Sequence, residues 1–448
     1  MLTLFNRHQF RQCDGIDRRT WLQMGGLALG GLTLPQLLER ESHAGINQSH
    51  KSVIMIYLTG GPPHQDMVDL KPQAPSDVRG EFQPIDTNVS GVQISEHLPL
   101  LSQMMDRLVV IRTLTGSDGR HSSFQCVTGR HFRNQPRGGW PGLGSVVSQL
   151  QGTVDPSVPP SVNLFMKMAH LPYNHPGSGF LGSRHMAFQP DGQGHANMKL
   201  NGITVDRLDD RRTLLRAFDG FRSQVDRRRE KGHLDPFTEQ AFDVLTASRL
   251  ADALDLDRED PKVRSSYGED APGVLSYGHL GYQAIMSKFL LARRLVQAGV
   301  RTVTTTFADF DWHGGNFSNG RKVLPLLDQG LAALINDLYR LGLQDDVTVV
   351  VWGEFGRTPK VNKSAGRDHW PRNAFAILAG GGMPTGQVIG TTTRYAEEAQ
   401  DRPVHFQEVF ATLYRNLGID MGEASLTDLN GRPHYLLDDG YKPLPELI

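Results

Sequence analysis

The composition of the chain sets the first limits on its function. Its 448 residues are 38% apolar, enough to bury a large core in one elaborated α/β domain or in two smaller domains. Its 47 basic and 48 acidic residues leave a formal net charge of -1, which excludes a general attraction to nucleic acids or anionic membranes. The 48 glycines and 26 prolines favour many shaped loops over a helical bundle.

The first 45 residues have the pattern of an export signal. Arg18 and Arg19 precede an uncharged segment rich in glycine and leucine, residues 24–38, and this pattern is similar to the twin-arginine signal of bacteria. The segment is short and glycine-rich for a membrane span, and no later stretch is apolar enough to cross a bilayer. We therefore expect residues 1–45 to be a signal peptide and linker, with the twin-arginine translocation machinery as a partner. The mature chain is then exported, periplasmic or extracellular.

The rest of the sequence alternates between predicted strands and predicted helices. Short apolar runs predict strands at 53–58, 108–111, 300–307, 347–352 and 374–379. Apolar residues at helical spacing predict helices at 282–295, 324–338 and 406–417. The order helix, strand, helix, strand between about residues 280 and 352 is typical of α/β proteins and predicts parallel pairing.

Two segments between these elements have a different character. Residues 135–190 are rich in glycine, proline and isolated histidines, which predicts long ordered loops over one face of the sheet. Residues 205–260 combine many arginines and aspartates with apolar residues at helical spacing, which predicts a helical insertion or cap. We expect both to belong to one domain over residues 46–448.

Three of the predicted strands are followed by acidic and histidine side chains. These candidate metal ligands are His64 and Asp66, then Asp311 and His313, then Glu354, Asp368 and His369. The carboxyl ends of parallel strands share one edge of a sheet, so these residues are predicted to converge there. Each segment taken alone is equally compatible with a turn that carries a surface ion pair.

The residue types predict which ions such a site would bind. Asp, Glu and His without Cys are the ligands of hydrolytic Zn²⁺ or Mn²⁺, as one or two ions, and Mg²⁺ or Ca²⁺ become candidates if carboxylates dominate. We expect Asp311, His313, Glu354 and His369 to lie within roughly 10 Å of one another, because ligands of one ion surround it closely.

Arginines near the same motifs suit a tetrahedral anion such as phosphate or sulfate. Arg120, Arg357 and Arg367 are the candidate anion-binding residues, and Arg112 and Arg130 lie near the motifs as well. For any one of them alone, a structural or solvated salt bridge is the alternative.

The segment after the second predicted strand offers a nucleophile. His121, Ser122 and Ser123 form a predicted loop-to-helix junction, where the positive field of the helix N-terminus lowers the cost of an alkoxide or a bound anion. The same serines are also ordinary helix N-caps. Cys126 would be the single cysteine after the signal, and is predicted to be a buried apolar residue, with a thiol nucleophile as the alternative.

Four motifs resemble the DUF1501 family, which is grouped with the alkaline phosphatase and sulfatase superfamily. They are Gly60-Gly61-Pro62-Pro63-His64, Asp311-Trp312-His313-Gly314-Gly315, Gly353-Glu354-Phe355-Gly356-Arg357 and Gly366-Arg367-Asp368-His369-Trp370. The resemblance covers nearly all of the chain from Val53 onward. It implies an alkaline-phosphatase-like α/β fold with a mainly parallel sheet, helices on both faces, and loop-rich and helical insertions.

The resemblance also implies roles for single residues. Asp311 and His313 resemble the Asp-and-His pair of one metal, with His369 as its distal histidine. Glu354 stands where that superfamily shows an Asp-His pair, and Phe355 replaces the histidine. Gly60-Gly61 stands where an Asp-Gly would end the first strand, a departure for which His64 or Asp66 could compensate. Ser122 or Ser123 would be the nucleophile.

These observations predict an exported, metal-dependent hydrolase of phosphate or sulfate esters. Its substrate would be a small anionic ester or a sulfated or phosphorylated glycan. The alternative is a non-catalytic exported protein that uses the same scaffold to bind an anionic glycan or a protein partner. The departures at Gly60-Gly61 and Phe355 favour that alternative.

Replacement of Arg18 and Arg19 by Lys tests the predicted export route. We expect unprocessed precursor to accumulate in the cytoplasm, because the paired guanidinium groups are what the pathway reads. Cell fractionation followed by immunoblotting measures the distribution. Normal export of the double variant would mean that the apolar segment is an ordinary secretory signal.

Overall fold

The structure is a computed structural model that describes residues 50–190, 248–271 and 285–448. The predicted signal peptide, residues 1–45, lies outside the described residues. So do residues 205–247 of the predicted insertion and residues 282–284 of the helix predicted at 282–295.

The strands of the described residues are numbered in chain order. They are β1 (Ser52–Thr59), β2 (Pro84–Asp86), β3 (Gln93–Ser95), β4 (Leu108–Thr115), β5 (Ser161–Asn163), β6 (Thr302–Asp309), β7 (Val347–Trp352), β8 (Gly356–Arg357), β9 (His369–Trp370), β10 (Ala374–Gly380), β11 (Gln387–Ile389), β12 (Val404–His405), β13 (Ser425–Thr427) and β14 (Pro433–Tyr435).

The α-helices of the same residues are α1 (His64–Met67), α2 (Ser76–Arg79), α3 (Pro99–Ser102), α4 (Phe124–Thr128), α5 (Leu143–Leu150), α6 (Ser248–Leu254), α7 (Pro261–Ser266), α8 (Ser287–Gln297), α9 (Asn316–Arg340) and α10 (Phe406–Asn416). Short 3-10 helices lie at Met105–Arg107, Leu171–Tyr173, Gly179–Leu181, Ser183–His185, Leu256–Arg258 and Pro445–Leu447. None of these described helices has the length and apolar surface needed to cross a lipid bilayer.

The main sheet has the strand order β11-β4-β10-β7-β1-β6-β5, with β12 paired to the end of β4. β1 is parallel to β6 and β7, β5 is parallel to β6, and β11 and β12 are parallel to β4. Within this sheet of described residues, only β10 runs in the opposite direction. The carboxyl ends of β1, β4, β6 and β7 therefore meet at one edge, the C-terminal edge. The predicted mainly parallel α/β fold is confirmed.

Both faces of the sheet are buried because side chains alternate along each strand. On β1, Ile54 and Leu58 pack into a core with α8 and α9, whereas Val53 and Tyr57 pack into a second core with α5 and α10. Full burial of an isoleucine or leucine side chain stabilises a fold by about 1.5–3 kcal/mol. Helices on both faces thus fix the sheet, and the sheet fixes its C-terminal edge.

Residues 135–190 are more regular than the predicted long loops. They contain α5 and β5, and β5 extends the main sheet beside β6. The prediction missed these two elements because β5 has three residues, too few for a pattern, and because the apolar residues of α5 are interrupted by glycine and serine. Part of the predicted insertion is described, and helix α6 lies within it.

A bulge separates the ends of β1 and β6. Tyr57 pairs with Thr306 but Thr59 pairs with Asp309, so β6 carries one extra residue. Ala308 in this bulge has a φ of +49°, a left-handed conformation that residues other than glycine rarely adopt. The hydroxyl of Thr59 donates to the Ala308 carbonyl at 2.6 Å. The bulge redirects the chain just before Asp311.

Gly60 fills the space between these two strand ends, and its replacement tests how tightly they pack. Its φ is +88°, and an added Cβ would lie 2.5 Å from both Asp309 Oδ1 and the Asp311 nitrogen. We expect Gly60→Ala to lower the free energy of unfolding by about 3 kcal/mol or more, measured by urea denaturation. The matched control is Gly91→Ala, with a φ of +79° and no atom within 4 Å of the added Cβ, which costs only about 1 kcal/mol. Equal losses for the two variants would contradict the steric argument.

Candidate metal centre

Side chains that follow different strands meet at the C-terminal edge of the sheet. They are His121 after β4, Asp311 and His313 after β6, and His369 in β9. One nitrogen or carboxylate oxygen from each lies within 4.8 Å of the others, a group that could hold a metal ion. The structure brings Asp311, His313 and His369 together as expected, and it adds His121 where Glu354 was predicted.

The separations within this cluster fit the coordination of one ion. Asp311 Oδ1 lies 3.0 Å from His313 Nε2 and 3.4 Å from His369 Nε2, and the two imidazole nitrogens are 3.0 Å apart. Ligand atoms at about 2.0–2.1 Å from a tetrahedral ion are about 3.3 Å apart. Two imidazoles and a carboxylate suit Zn²⁺ or Mn²⁺ better than Ca²⁺ or Mg²⁺, which prefer all-oxygen sites. The donor set therefore fits a divalent transition metal.

His121 approaches the second carboxylate oxygen of Asp311, Oδ2, whereas His313 and His369 approach Oδ1. Its Nε2 lies 3.3 Å from Asp311 Oδ2, while its Nδ1 lies 3.1 Å from Glu354 Oε1 and 2.5 Å from the Tyr173 hydroxyl oxygen. Burial alone would lower the pKa of His121, but the hydrogen bonds with Asp311 and Glu354 raise it to about 9. The ring is thus held on both nitrogens.

Glu354, predicted as a ligand, supports His121 from outside the cluster. Its side chain is 2% exposed, and Oε1 also accepts a hydrogen bond from the Gly60 nitrogen at 2.9 Å. The reason is topological: β7 neighbours β1, so the residue just beyond β7 reaches the backbone that follows β1. The same carboxylate adds to the effect of burial in raising the pKa of Tyr57.

Asp368 likewise orients a histidine of the cluster and is not part of it. Its Oδ1 lies 2.8 Å from His313 Nδ1 and accepts a hydrogen bond from Asn362 at 3.3 Å. The hydrogen bond with His313 lowers the pKa of Asp368. A carboxylate on the second ring nitrogen is typical of histidines that bind metal through the first.

Arg357, predicted to bind an anion, instead neutralises Asp311. One of its Nη atoms donates to Asp311 Oδ1 at 2.6 Å, and other donors of the guanidinium bind the carbonyls of Gly60, Gly61 and Arg367. Burial alone would raise the pKa of Asp311, but hydrogen bonds with His121, His369 and Arg357 hold it well below its usual value. The carboxylate is therefore kept ionised inside the protein.

Arg367, Asp66 and His64, predicted as anion-binding and metal-binding residues, contact other groups and are not members of the cluster. Arg367 is 0% exposed and binds both carboxylate oxygens of Asp66, at 2.7 and 2.8 Å. Asn316 also donates to Asp66. His64 is fully buried with its Nε2 2.9 Å from the Ala396 carbonyl oxygen, and burial lowers its pKa. In this structure the donors of Arg367 and the oxygens of Asp66 are therefore directed to each other and to neighbouring protein groups.

Ser122 and Ser123 are also held by local contacts. Ser123 donates to the Asn174 carbonyl at 2.7 Å, and the Ser122 hydroxyl accepts from the Phe124 nitrogen at 3.2 Å. Neither hydroxyl forms a hydrogen bond with the cluster among the described residues. Cys126 is a free, fully buried cysteine, as predicted, with burial raising the pKa of its thiol.

Two residues near the cluster had no clear signal in the sequence. Tyr173 and His170 lie in the predicted loop region, and His170 Nε2 is 3.0 Å from the His121 carbonyl oxygen. For His170, the only signal in the sequence was the density of isolated histidines in residues 135–190. Arg120, the third predicted anion-binding residue, is exposed beside this site, with its guanidinium carbon 4.3 Å from the centre of the Phe132 ring.

A mainly parallel sheet with a histidine and aspartate cluster at its C-terminal edge defines an α/β protein with a candidate metal centre. The chain belongs to the DUF1501 family, described as a protein of unknown function, whose model matches residues 50–448. The family assignment made from the motifs is confirmed. No curated protein matches the chain in sequence.

Solved structures that match the chain at low identity include a synthase, an alkaline phosphatase and a sulfatase. The lipoteichoic acid synthase LtaP from Listeria monocytogenes is 11% identical, with 88% of each chain covered and a TM-score of 0.36. Alkaline phosphatase from the Antarctic bacterium TAB5 is 8% identical, covering 83% of this chain and 99% of that one, with a TM-score of 0.35. The PsFucS1 sulfatase from Pseudoalteromonas sp. is 9% identical, covering 85% of this chain and 70% of that one, with a TM-score of 0.34. Scores this low carry no residue role or reaction over to this chain.

Zinc titration of the purified chain tests the candidate metal centre. We expect one ion per chain and a rise in melting temperature by mass action, because the ion binds only the folded state. His369→Ala should abolish stoichiometric binding, since it removes one of three closely spaced donors. Asp368→Ala should weaken binding about 10–100-fold, because it frees the ring of His313.

His50→Ala is the control for this titration, since His50 is exposed and is not a member of the cluster. It should bind zinc like the unaltered chain. If His369→Ala retained full affinity for zinc, the cluster would not be the site.

Proposed function

We propose that this chain is an exported, metal-dependent hydrolase of phosphate or sulfate esters. The observation that carries the proposal is the close approach of Asp311, His313 and His369, whose donor atoms are 3.0–3.4 Å apart. Three protein donors leave one coordination position open, which is the arrangement of catalytic zinc sites. Export is proposed from Arg18 and Arg19 together with the uncharged segment 24–38 that follows them.

Asp311, His313 and His369 would hold the ion in this proposal. When bound, a divalent ion would supply Lewis acidity, which activates water and neutralises charge on the ester. Arg357 keeps Asp311 ionised and in place, and Asp368 fixes the ring of His313. These contacts are formed by the protein itself, so the donors are oriented before any ligand arrives.

We assign proton transfer to His121. Its Nε2 faces the cluster at the second oxygen of Asp311, and its Nδ1 is held by Glu354 and Tyr173. An imidazole held in this way exchanges a proton at Nε2 with attacking water or with the leaving group. Neither the Ser122 hydroxyl, which accepts from the Phe124 nitrogen, nor the Ser123 hydroxyl, which donates to the Asn174 carbonyl, forms a hydrogen bond with the cluster among the described residues, so the proposal is direct attack by water.

The first experiment assays the purified chain against p-nitrophenyl phosphate and p-nitrophenyl sulfate, with and without a chelator. We expect turnover that is lost with the metal or with His369→Ala. We expect His121→Ala to keep the metal but to lower kcat by about 100-fold or more, the usual contribution of a general acid or base. Ser122→Ala and Ser123→Ala should keep turnover, because neither hydroxyl attacks the ester.

Three outcomes would change this assignment. Loss of metal from His121→Ala would make His121 a ligand, and loss of turnover from either serine variant would restore a covalent nucleophile. Stoichiometric metal with no turnover on either ester would favour the second candidate, a non-catalytic protein that binds an anionic glycan or a protein partner. That candidate is supported by one observation, the use of Arg357 and Arg367 within the protein.

A further inference from the structure

The positive charges available to a ligand lie outside the candidate metal centre. Arg357 and Arg367 are almost completely buried and are bound to carboxylates and carbonyls. Arg120 and Arg372 are exposed on the loops that carry His121 and His369. These two arginines are therefore open to solvent and lie close in the chain to two members of the cluster.

Arg120 is held on an aromatic ring. Its guanidinium carbon lies 4.3 Å from the centre of the Phe132 ring, and no ion pair of Arg120 occurs in the described part of the chain. Asp118 fixes this ring beside the loop, since its Oδ2 accepts from the Phe132 nitrogen at 2.6 Å and its Oδ1 lies 2.5 Å from His131 Nδ1. A guanidinium stacked by its face keeps its N–H edges available for an anion.

Arg372 repeats this arrangement beside His369. Its guanidinium carbon lies 5.3 Å from the centre of the Trp370 ring, and the indole nitrogen of Trp370 donates to the Glu397 carbonyl at 2.5 Å. Glu398 approaches Arg372 at 4.0 Å, but both side chains are more than half exposed. Such a surface pair contributes little stability, so it is readily exchanged for another anion.

The segments that carry the two arginine–aromatic pairs are neighbours. A Cβ placed on Gly119 would lie 3.1 Å from Pro371, so the residues that precede Arg120 and Arg372 pack against each other. The rings of His121 and His369, which belong to the same two segments, are 4.3 Å apart. We call Arg120, Phe132, Trp370 and Arg372 the arginine rim.

We propose that the arginine rim binds a second anionic group of the substrate, which makes the substrate class a sulfated or phosphorylated oligosaccharide with more than one charged group. The proposal rests on the proposed function in that the first anionic group lies at the cluster. Two fixed cations next to one reacting centre suit a ligand with several anionic groups. The net charge of -1 gives the chain no general attraction to a nucleic acid.

Isothermal titration calorimetry with a dextran sulfate hexasaccharide tests the rim without requiring turnover. We expect Arg120→Gln and Arg372→Gln each to weaken binding roughly tenfold, and the double variant roughly a hundredfold, since each removes charge-assisted hydrogen bonds. Phe132→Leu keeps every charge but removes the platform of Arg120, and should weaken binding about threefold. Unsulfated dextran of the same length should not bind.

Arg107→Gln is the matched control. Arg107 also stacks on an aromatic ring, 4.5 Å from the centre of Tyr339, but it precedes β4 at the opposite edge of the sheet. It should bind the hexasaccharide like the unaltered chain. Unchanged binding by the Arg120 and Arg372 double variant, or an equal loss with Arg107→Gln, would overturn the proposal.

Two further outcomes separate this proposal from nucleic-acid binding and from the hydrolase proposal. Equal affinity for a single-stranded oligodeoxynucleotide of matched charge would overturn the assignment to an oligosaccharide. If the rim variants lose binding while the unaltered chain hydrolyses neither aryl ester, the rim proposal stands and the hydrolase proposal falls.

Discussion

The buried carboxylate of Asp311 is the contact on which the C-terminal edge depends. An unpaired charge inside a protein costs several kcal/mol, so its position is stable only where partners surround it. Arg357 binds one oxygen of Asp311, and imidazoles lie close to both oxygens. Arg357 in turn binds carbonyls that follow β1 and precede β9. One charge therefore joins the ends of separate strands and places three histidines around a common point.

Arg367 and Asp66 form a second buried ion pair, which holds further loops around the same edge of the sheet. Arg367 and Asp66 saturate each other, and Arg367 also binds the carbonyls of Val78, Thr358 and Pro359. The two arginines hold loops that have little regular structure of their own. The two buried cations therefore stabilise the loops around the cluster.

The sequence predicted the sheet well because its central strands are buried on both faces. The apolar run 347–352 matches β7 residue for residue, and the run 374–379 differs from β10 by one residue. Helix α9 begins eight residues before the first leucine used to predict it, because its first turns are polar and give no apolar pattern. β5 is only three residues long and could be found only from its pairing with β6.

The sequence located the candidate site but not the part that each residue plays in it. Asp311, His313 and His369 were predicted because they follow strands that end at one edge. Whether a side chain beyond a strand enters the cluster or turns back depends on the turn geometry, which short motifs do not specify. Glu354 turns back to the Gly60 nitrogen, and Asp66 turns to Arg367. His121 follows β4, a strand that was also predicted. Its carboxyl end is a fourth strand end at the same edge, and this was the signal that could have placed His121 in the cluster.

The burial of Cys126 has a consequence for the chemical durability of the protein. The thiol is completely enclosed, and both burial and the negative charge of Glu354 disfavour its thiolate. Oxidation and disulfide exchange proceed through the thiolate and require access to the sulfur. Cys126 is therefore protected against peroxide and against mixed disulfides for as long as the second core stays closed.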